Sequence, residues 1–206
     1  MTASYLVVDL GAVVFHFDHA RRLDRLAEAC DLGAEQIHAL LWLPGFSADC
    51  DQGRYGSAAQ VRAQIRASLA FQGRDDDLDD AWCSAFLPNP AVIDVLDRHR
   101  GDPMLALFTN NGPLEEEEAL IRRYPEVFAR FDRLFFSHRL CHRKPDLAAF
   151  TAVTSDLGAS GEEIVFVDDS PANVAAALGA GWHAFPFRDA ASLRHDLDEA
   201  AERLRR

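Results

Sequence analysis

Four short stretches of this chain carry residues able to do chemistry together. Asp9 follows the apolar run Tyr5-Leu6-Val7-Val8 and precedes Leu10-Gly11-Ala12, so its carboxylate projects from a strand end. An aspartate held there serves as a nucleophile or a metal ligand. Asp168-Asp169 ends a second apolar run, from Glu163 to Val167. Two adjacent carboxylates beside Asp9 would repel, and a hard divalent cation with oxygen ligands, magnesium above all, relieves that repulsion. Thr109 and Asn110, after Met104-Leu105-Ala106-Leu107-Phe108, offer a hydroxyl and an amide where turn N–H groups can cradle an anion. Lys144, in His142-Arg143-Lys144-Pro145, supplies a compact positive charge. Together they make a site for a negatively charged group attacked by Asp9. Each alone has a plainer reading, as helix cap, turn or solvated lysine. The combination is much rarer than its parts.

Positioning these residues requires a particular kind of fold. The three apolar runs are short and continuous, the pattern of strands buried on both faces in a parallel sheet. In open α/β sheets ligands bind outside the carboxyl ends of the strands, where all three runs carry polar residues. Between the first run and the others, helical periodicity appears over Ala20–Cys30, Ala34–Leu43 and Ala58–Ala70, and more weakly over Leu78–Leu87. Pro88-Asn89-Pro90 breaks the chain, and a helix over Ala91–Arg100 follows. The expected fold class is therefore α/β, a doubly wound, Rossmann-like parallel sheet with a small α-helical cap inserted after the first strand. Residues 1–15 and 89–206 form the core in this reading, and residues 16–88 form a four-helix cap. The aspartates at 75–77, 79 and 80 read as a solvated loop between helices, and Glu115–Glu118 as the opening of a helix after Pro113.

Composition narrows the function. With 21 Lys plus Arg against 33 Asp plus Glu, the formal net charge of the 206-residue chain is −12. That argues against nucleic acid and anionic membrane surfaces, which need a basic footprint. Met1–Tyr5 has no basic stretch of the kind that opens a secretory signal, and no run is long enough to span a membrane. Cys30, Cys50, Cys83 and Cys141 are widely spaced with no C-x-x-C pair, which suggests free thiols in a reducing compartment. Cys50 reads as lying in a polar loop, more plausibly inert than reactive. A cytoplasmic protein is expected. Of the 21 cations, 20 are Arg, and the one lysine is Lys144.

The order of the motifs resembles that of the haloacid dehalogenase-like hydrolase superfamily, which includes many phosphatases. Val8-Asp9-Leu10-Gly11-Ala12-Val13-Val14, Leu107-Phe108-Thr109-Asn110-Asn111, Arg143-Lys144-Pro145-Asp146 and Val165 through Val174 carry the resemblance. It is similar above all to the capped bacterial subgroup that includes a sugar-1-phosphate phosphatase. The resemblance implies a Mg²⁺-dependent phosphomonoesterase acting on a small phosphorylated metabolite, a sugar phosphate among the candidates. Asp9 would form an aspartyl phosphate. Mg²⁺ would be held by Asp9, the Gly11 carbonyl and Asp168 or Asp169. Thr109, Asn110 and Lys144 would bind the phosphoryl group, and Asn173 would steady the acidic loop.

One departure matters. Most phosphatases of the family have a second aspartate two residues after the nucleophile as general acid and base, and here that position is Gly11. Such help is typically worth about 10²- to 10⁴-fold. A better leaving group, a substitute such as His16 or Asp18, or a non-catalytic ligand-binding role would each be consistent with its loss. The dehalogenase branch also lacks that aspartate and uses no metal, but the Asp168-Asp169 pair favours the phosphatase. Trp42, Phe46, Arg54 and Tyr55 are candidates for the cap's substrate contacts, Arg54 first among them; the aromatics more often pack a core.

Overall fold

The computed structural model describes residues 4–99, 101 and 103–204, with backbone alone for 117–119 and 200–204, so Arg100 of the expected Ala91–Arg100 helix lies outside the described residues. In chain order the elements are β1 (Tyr5–Val8), β2 (Phe15–Phe17), α1 (His19–Ala29), α2 (Ala34–Leu41), α3 (Phe46–Asp51), α4 (Ala58–Leu69), α5 (Asp75–Cys83), β3 (Phe86–Pro88) and α6 (Pro90–Arg98). There follow β4 (Met104–Thr109), a π-helical stretch at Glu115–Leu120, α7 (Pro125–Phe128), β5 (Arg133–Phe136), α8 (Ser137–Leu140) and α9 (Leu147–Leu157). A 3₁₀ turn at Gly161–Glu163, β6 (Ile164–Asp168), α10 (Pro171–Gly179), β7 (His183–Pro186) and α11 (Ala190–Leu204) complete the chain.

The main sheet is parallel with strand order β5-β4-β1-β6-β7, so β1 lies at its centre. Alternation along each strand sends side chains to opposite faces. Leu6, Val8, Leu105, Leu107, Val165 and Val167 pack on one face with Val92, Leu96, Leu193 and Leu197 of α6 and α11. Val7, Ala106, Phe108 and Phe166 pack on the other with Ala149, Phe150, Val153 and Ala177 of α9 and α10. The sheet is thus covered twice, as continuous apolar strands require. Pro90 and Pro171 sit in the first turn of their helices, where a missing N–H costs nothing.

Five helices, not four, lie between β2 and β3. Leu26, Ile37, Leu41, Val61, Ile65, Leu69, Leu78 and Trp82 build a separate buried cluster there, joined from the core by Leu114. The helix missing from the sequence reading is α3, six residues with a single turn's worth of apolar signal. Near-complete burial of each large apolar side chain is worth about 1.5–3 kcal/mol, so this cluster is a substantial part of what holds the helices together. β2 and β3 pair antiparallel, Phe15 with Pro88 and Phe17 with Phe86, as the two-stranded stem of the insertion.

Two local expectations need correction. The aspartate run is helical: Asp75, Asp76 and Asp77 fill the first turn of α5, where carboxylates favour the helix dipole, and Asp79 is buried in a two-pronged pair with Arg62 at 2.8 and 2.7 Å. The helix expected to reach Leu87 stops at Cys83, because Phe86–Pro88 instead pair with β2.

Candidate active site

Register places the chemistry. Val8 of β1 lies level with Leu107 of β4 and Val167 of β6, so Asp9, Phe108 and Asp168 come next, side by side, at the carboxyl edge. The Asp9 amide donates to the Val167 carbonyl at 2.9 Å, fixing the chain as it leaves the sheet. Lys144 arrives from the loop after α8. Its Nζ donates to Asp9 Oδ1 at 2.6 Å, to Asp168 Oδ2 at 2.6 Å and to the Phe108 carbonyl at 2.7 Å. The Phe108 and Phe166 rings flank the ammonium at 5.0 and 5.3 Å. Lys144 is 2% exposed and Asp168 0%, so three fixed acceptors replace water around a buried charge.

The Lys144 segment is itself held. The Asn110 side chain accepts from the Lys144 amide at 2.9 Å and donates to the Lys144 carbonyl at 2.9 Å. Thr109 Oγ1, buried, accepts from Asn111 Nδ2 at 2.6 Å, which leaves its own proton to donate elsewhere. Asn173 Nδ2 donates to both carboxylate oxygens of Asp168, at 2.9 and 3.1 Å, and the Ser170 amide adds a bond at 2.9 Å.

Burial raises Asp9 to about 6 against the pull of Lys144, with the Asp168 charge pushing the same way as burial. Burial also raises the Asp169 carboxyl, helped by Asp168. For Lys144 burial acts to lower the pKa, but the charges of Asp9 and Asp168 outweigh it and the ammonium is held above its ordinary value. One cation incompletely compensates this much buried negative charge. Asp9, Asp168 and Asp169 each place a carboxylate oxygen within 4.8 Å of the others. Three carboxylates and one ammonium leave a formal charge of −2, and the donors are all hard oxygens. This set fits a divalent cation of the Mg²⁺ type. With Asp168 engaged by Lys144, Asn173 and the Ser170 amide, the more exposed Asp169 is the freer carboxylate of the pair.

Above this floor is a cavity of about 300 Å³ whose lining includes Asp9, Gly11, Thr109, Asn110, Lys144 and Asp169 from the sheet edge. Its opposite wall brings Arg22, Trp42 and Asp51 from the inserted helices, with Glu115 and Arg143. A volume at the low end for ligand sites suits a small substrate. None of Arg22, Asp51, Glu115 and Arg143 is expected from the sequence as a site residue. Their signal was weak: scattered charges, one per helix or loop, with no spacing that links them.

The sequence-predicted residues therefore separate into two groups. Asp9, Gly11, Thr109, Asn110, Lys144 and Asp169 line one cavity, and Asp168 is held directly behind it. Arg54 does not join them: its side chain is 65% exposed and pairs with Asp49 at 3.1 Å. His16 is exposed on β2, and Asp18 caps α1 by accepting from the Arg21 amide at 3.0 Å. Trp42 reaches the cavity, whereas Phe46 and Tyr55 pack within the helical cluster. Cys50 lies in α3, not in a loop, and burial holds its thiol well above the usual range. All four cysteines are free.

Residues 34–181 match the family model of the haloacid dehalogenase-like hydrolases. The chain belongs to that family. Among solved structures, the HAD family enzyme BT-2542 from Bacteroides thetaiotaomicron superposes with a TM-score of 0.79 at 24% identity, over 91% of this chain and 95% of that one. The same enzyme is also known as a complex with magnesium and inorganic phosphate, at TM-score 0.76, 24% identity and 90% and 94% coverage. An L-2-haloacid dehalogenase from Xanthobacter autotrophicus with covalently bound chloropropionic acid gives 0.63 at 18% identity, over 96% and 84% of the two chains. A 74-residue stretch is 38% identical to the drimenol cyclase drtB of Aspergillus calidoustus; it is 36% of this chain and spans only 13% of that protein. No helix among the described residues of this hydrolase is long and apolar enough to cross a membrane.

Proposed function

We propose that this hydrolase is a Mg²⁺-dependent phosphomonoesterase for a small phosphorylated metabolite, working through an aspartyl phosphate on Asp9. The observation that carries the reading is the Lys144 ammonium bridging Asp9 and Asp168 at 2.6 Å each, beside Asp169, on the floor of a small cavity. The magnesium and phosphate complex of BT-2542 supports it. In this reading Asp9, the Gly11 carbonyl and Asp169 hold the metal, with Asp168 behind them, and the metal when bound neutralises charge on the phosphoryl oxygens.

The chain's own residues do the rest. Lys144 orients Asp9 and adds positive charge near the oxygens that gain charge in the transition state. Thr109 donates its free hydroxyl proton to a phosphoryl oxygen. Asn110 acts through Lys144, since both ends of its amide already bracket that residue. Residues 16–88 form the cap that closes over the core of residues 1–15 and 89–206, and specificity lies in the cap-side wall.

The direct test is hydrolysis of 4-nitrophenyl phosphate with and without EDTA, with Asp9→Asn as control. Metal-dependent turnover abolished in that variant supports the proposal. Retained turnover in Asp9→Asn would sink it. Gly11 and the likeness to the dehalogenase keep one other reading in view, a metal-independent 2-haloacid dehalogenase. Halide release from 2-chloropropionate in EDTA would establish that instead. Inactivity on both, with no beryllium fluoride adduct, would leave a phosphate-ligand binding protein.

A further inference from the structure

Resting on the phosphomonoesterase reading, we infer that Asp51, carried by the cap helix α3, is the catalytic acid and base that Gly11 cannot be. Four carboxylates line the cavity. Asp9 and Asp169 belong to the charged floor. Glu115 is bound through one oxygen, Oε1 accepting from Trp82 Nε1 at 2.6 Å and facing Arg22 at 3.8 Å. Asp51 has no partner that close. It is 9% exposed, and its nearest ionic neighbour, Arg143 Nη2, stands at 3.8 Å, too far for a hydrogen bond. It lines the same cavity as Asp9.

Two close approaches press α3 onto the core. A Cβ on Gly112, just past Thr109-Asn110-Asn111, would lie 2.8 Å from the Cys50 Cβ. A Cβ on Gly53, at φ +75, would lie 2.3 Å from the His138 carbonyl oxygen. Asp51 sits between these contacts, so the backbone that presents it touches both the Thr109 loop and α8. Groups from every packed element set its proton affinity. Burial pushes it up to about 7; Glu115 adds to the rise, while Arg143 and Arg22 oppose it. A group titrating there holds a proton to give and can take one back, as acid–base catalysis near neutral pH demands.

The steps balance. As Asp9 forms its bond to phosphorus and the ester P–O bond breaks, the Asp51 proton moves to the departing oxygen, which leaves as a neutral alcohol. The Asp51 carboxylate then removes a proton from water as the water oxygen attacks phosphorus. The Asp9–phosphorus bond breaks, inorganic phosphate departs, and Asp51 is protonated again.

The experiment measures first-turnover release of the leaving group from phenyl phosphate and from 2,4-dinitrophenyl phosphate, in wild type and Asp51→Asn. Dinitrophenolate needs no proton to leave, while phenolate does. The variant should lose about 10²-fold or more on the phenyl ester beyond any loss on the dinitrophenyl ester, with the pH limb near 7 gone. Gly112→Val, whose Cβ would press on Cys50 beside Asp51 while leaving the Asp51 side chain itself unchanged, should lose activity with the same leaving-group dependence. Equal losses on both esters, or none, would overturn the role of Asp51 while leaving the phosphatase intact. No release by the wild type from either ester would remove the phosphatase reading and the inference with it.

Discussion

The floor of the cavity and the wall opposite it are built by different means. The floor comes from adjacent strands of one parallel sheet, and its charges are bonded to one another: Lys144 to two carboxylates, Asp168 to Asn173 and a backbone amide, Thr109 to Asn111. The wall is assembled from α1, α3, the π-helical stretch and the Lys144 loop. Its charges meet loosely, Arg22 with Glu115 and Arg143 with Asp51 at 3.8 Å each. Buried Arg22 Nη2, Glu115 Oε2 and Arg143 Nε have no hydrogen-bond partner among the described residues. Buried polar groups left open are costly unless a ligand or water completes them. A satisfied floor suits a fixed reaction. An incompletely satisfied wall suits recognition of whatever leaves.

The sharpest break in this comparison comes from the floor. Asp9→Asn should lower turnover by at least about 10⁴-fold while the circular dichroism spectrum stays native, since removing a nucleophile is among the most damaging changes an active site can suffer. Residual activity near wild type would mean that the floor is structural only. Next in size is Lys144. Removal as Ala leaves two buried carboxylates without their cation, a loss of about 3–5 kcal/mol for a buried pair. Lys144→Arg should be nearly as damaging, because a planar fork cannot occupy a point-charge site bounded by acceptors at 2.6, 2.6 and 2.7 Å and by two phenyl rings. A melting curve and a rate assay on the Arg variant settle it; wild-type behaviour in both refutes it.

A double variant asks whether the floor can take over the wall's part. Gly11 has ordinary φ, and a Cβ there would meet only Phe17 Cβ, at 4.0 Å. Gly11→Asp should therefore fold, and in the Asp51→Asn background it should restore at least about 10-fold of the lost rate on phenyl phosphate. No recovery would mean that the two positions are not equivalent for proton transfer.

Smaller still is a stability effect. Between the ordinary value of 3.8 and about 7, native Asp51 keeps a proton that the unfolded chain has released. The native state then binds more protons, so this group makes stability fall as pH rises through that window, with the loss complete above about 7. Asp51→Asn should raise Tm relative to wild type at pH 8 more than at pH 4. An equal difference at both pH values would contradict the burial of an ionisable group. At the bottom of the scale, Arg54→Ala should change neither kcat/KM beyond about 2-fold nor stability beyond about 0.5 kcal/mol, as for exposed surface sites. A large rise in KM would return Arg54 to the cavity.

Strand tips were legible because a central strand is apolar throughout and its first polar residue marks the edge. Asp9, Thr109 and Asp168 follow from that rule alone. The helices with a sustained apolar period, α1, α2 and α4, were legible for a related reason. Short or polar elements were not. α3 spans six residues, α5 opens on three aspartates, and β5 and β7 are four-residue strands on the outer edges of the sheet. Arg54 was favoured because it follows a glycine in a polar stretch, a signal that says "exposed" as readily as "functional".

By itself, then, the sequence determined the α/β class, the order of the motifs and the identity of the floor, including the one lysine among 21 cations. These are properties of neighbours along the chain, or of residue types placed at strand ends. The tertiary structure decided which of the scattered charges face Asp9. Arg22, Asp51, Glu115 and Arg143 are separated by up to 121 positions, from 22 to 143, and come together only because α3 packs against Gly112 and the stem folds the inserted helices over the sheet edge. No periodicity encodes a contact of that kind, because it depends on how two packed bodies close on each other and not on any local pattern within either.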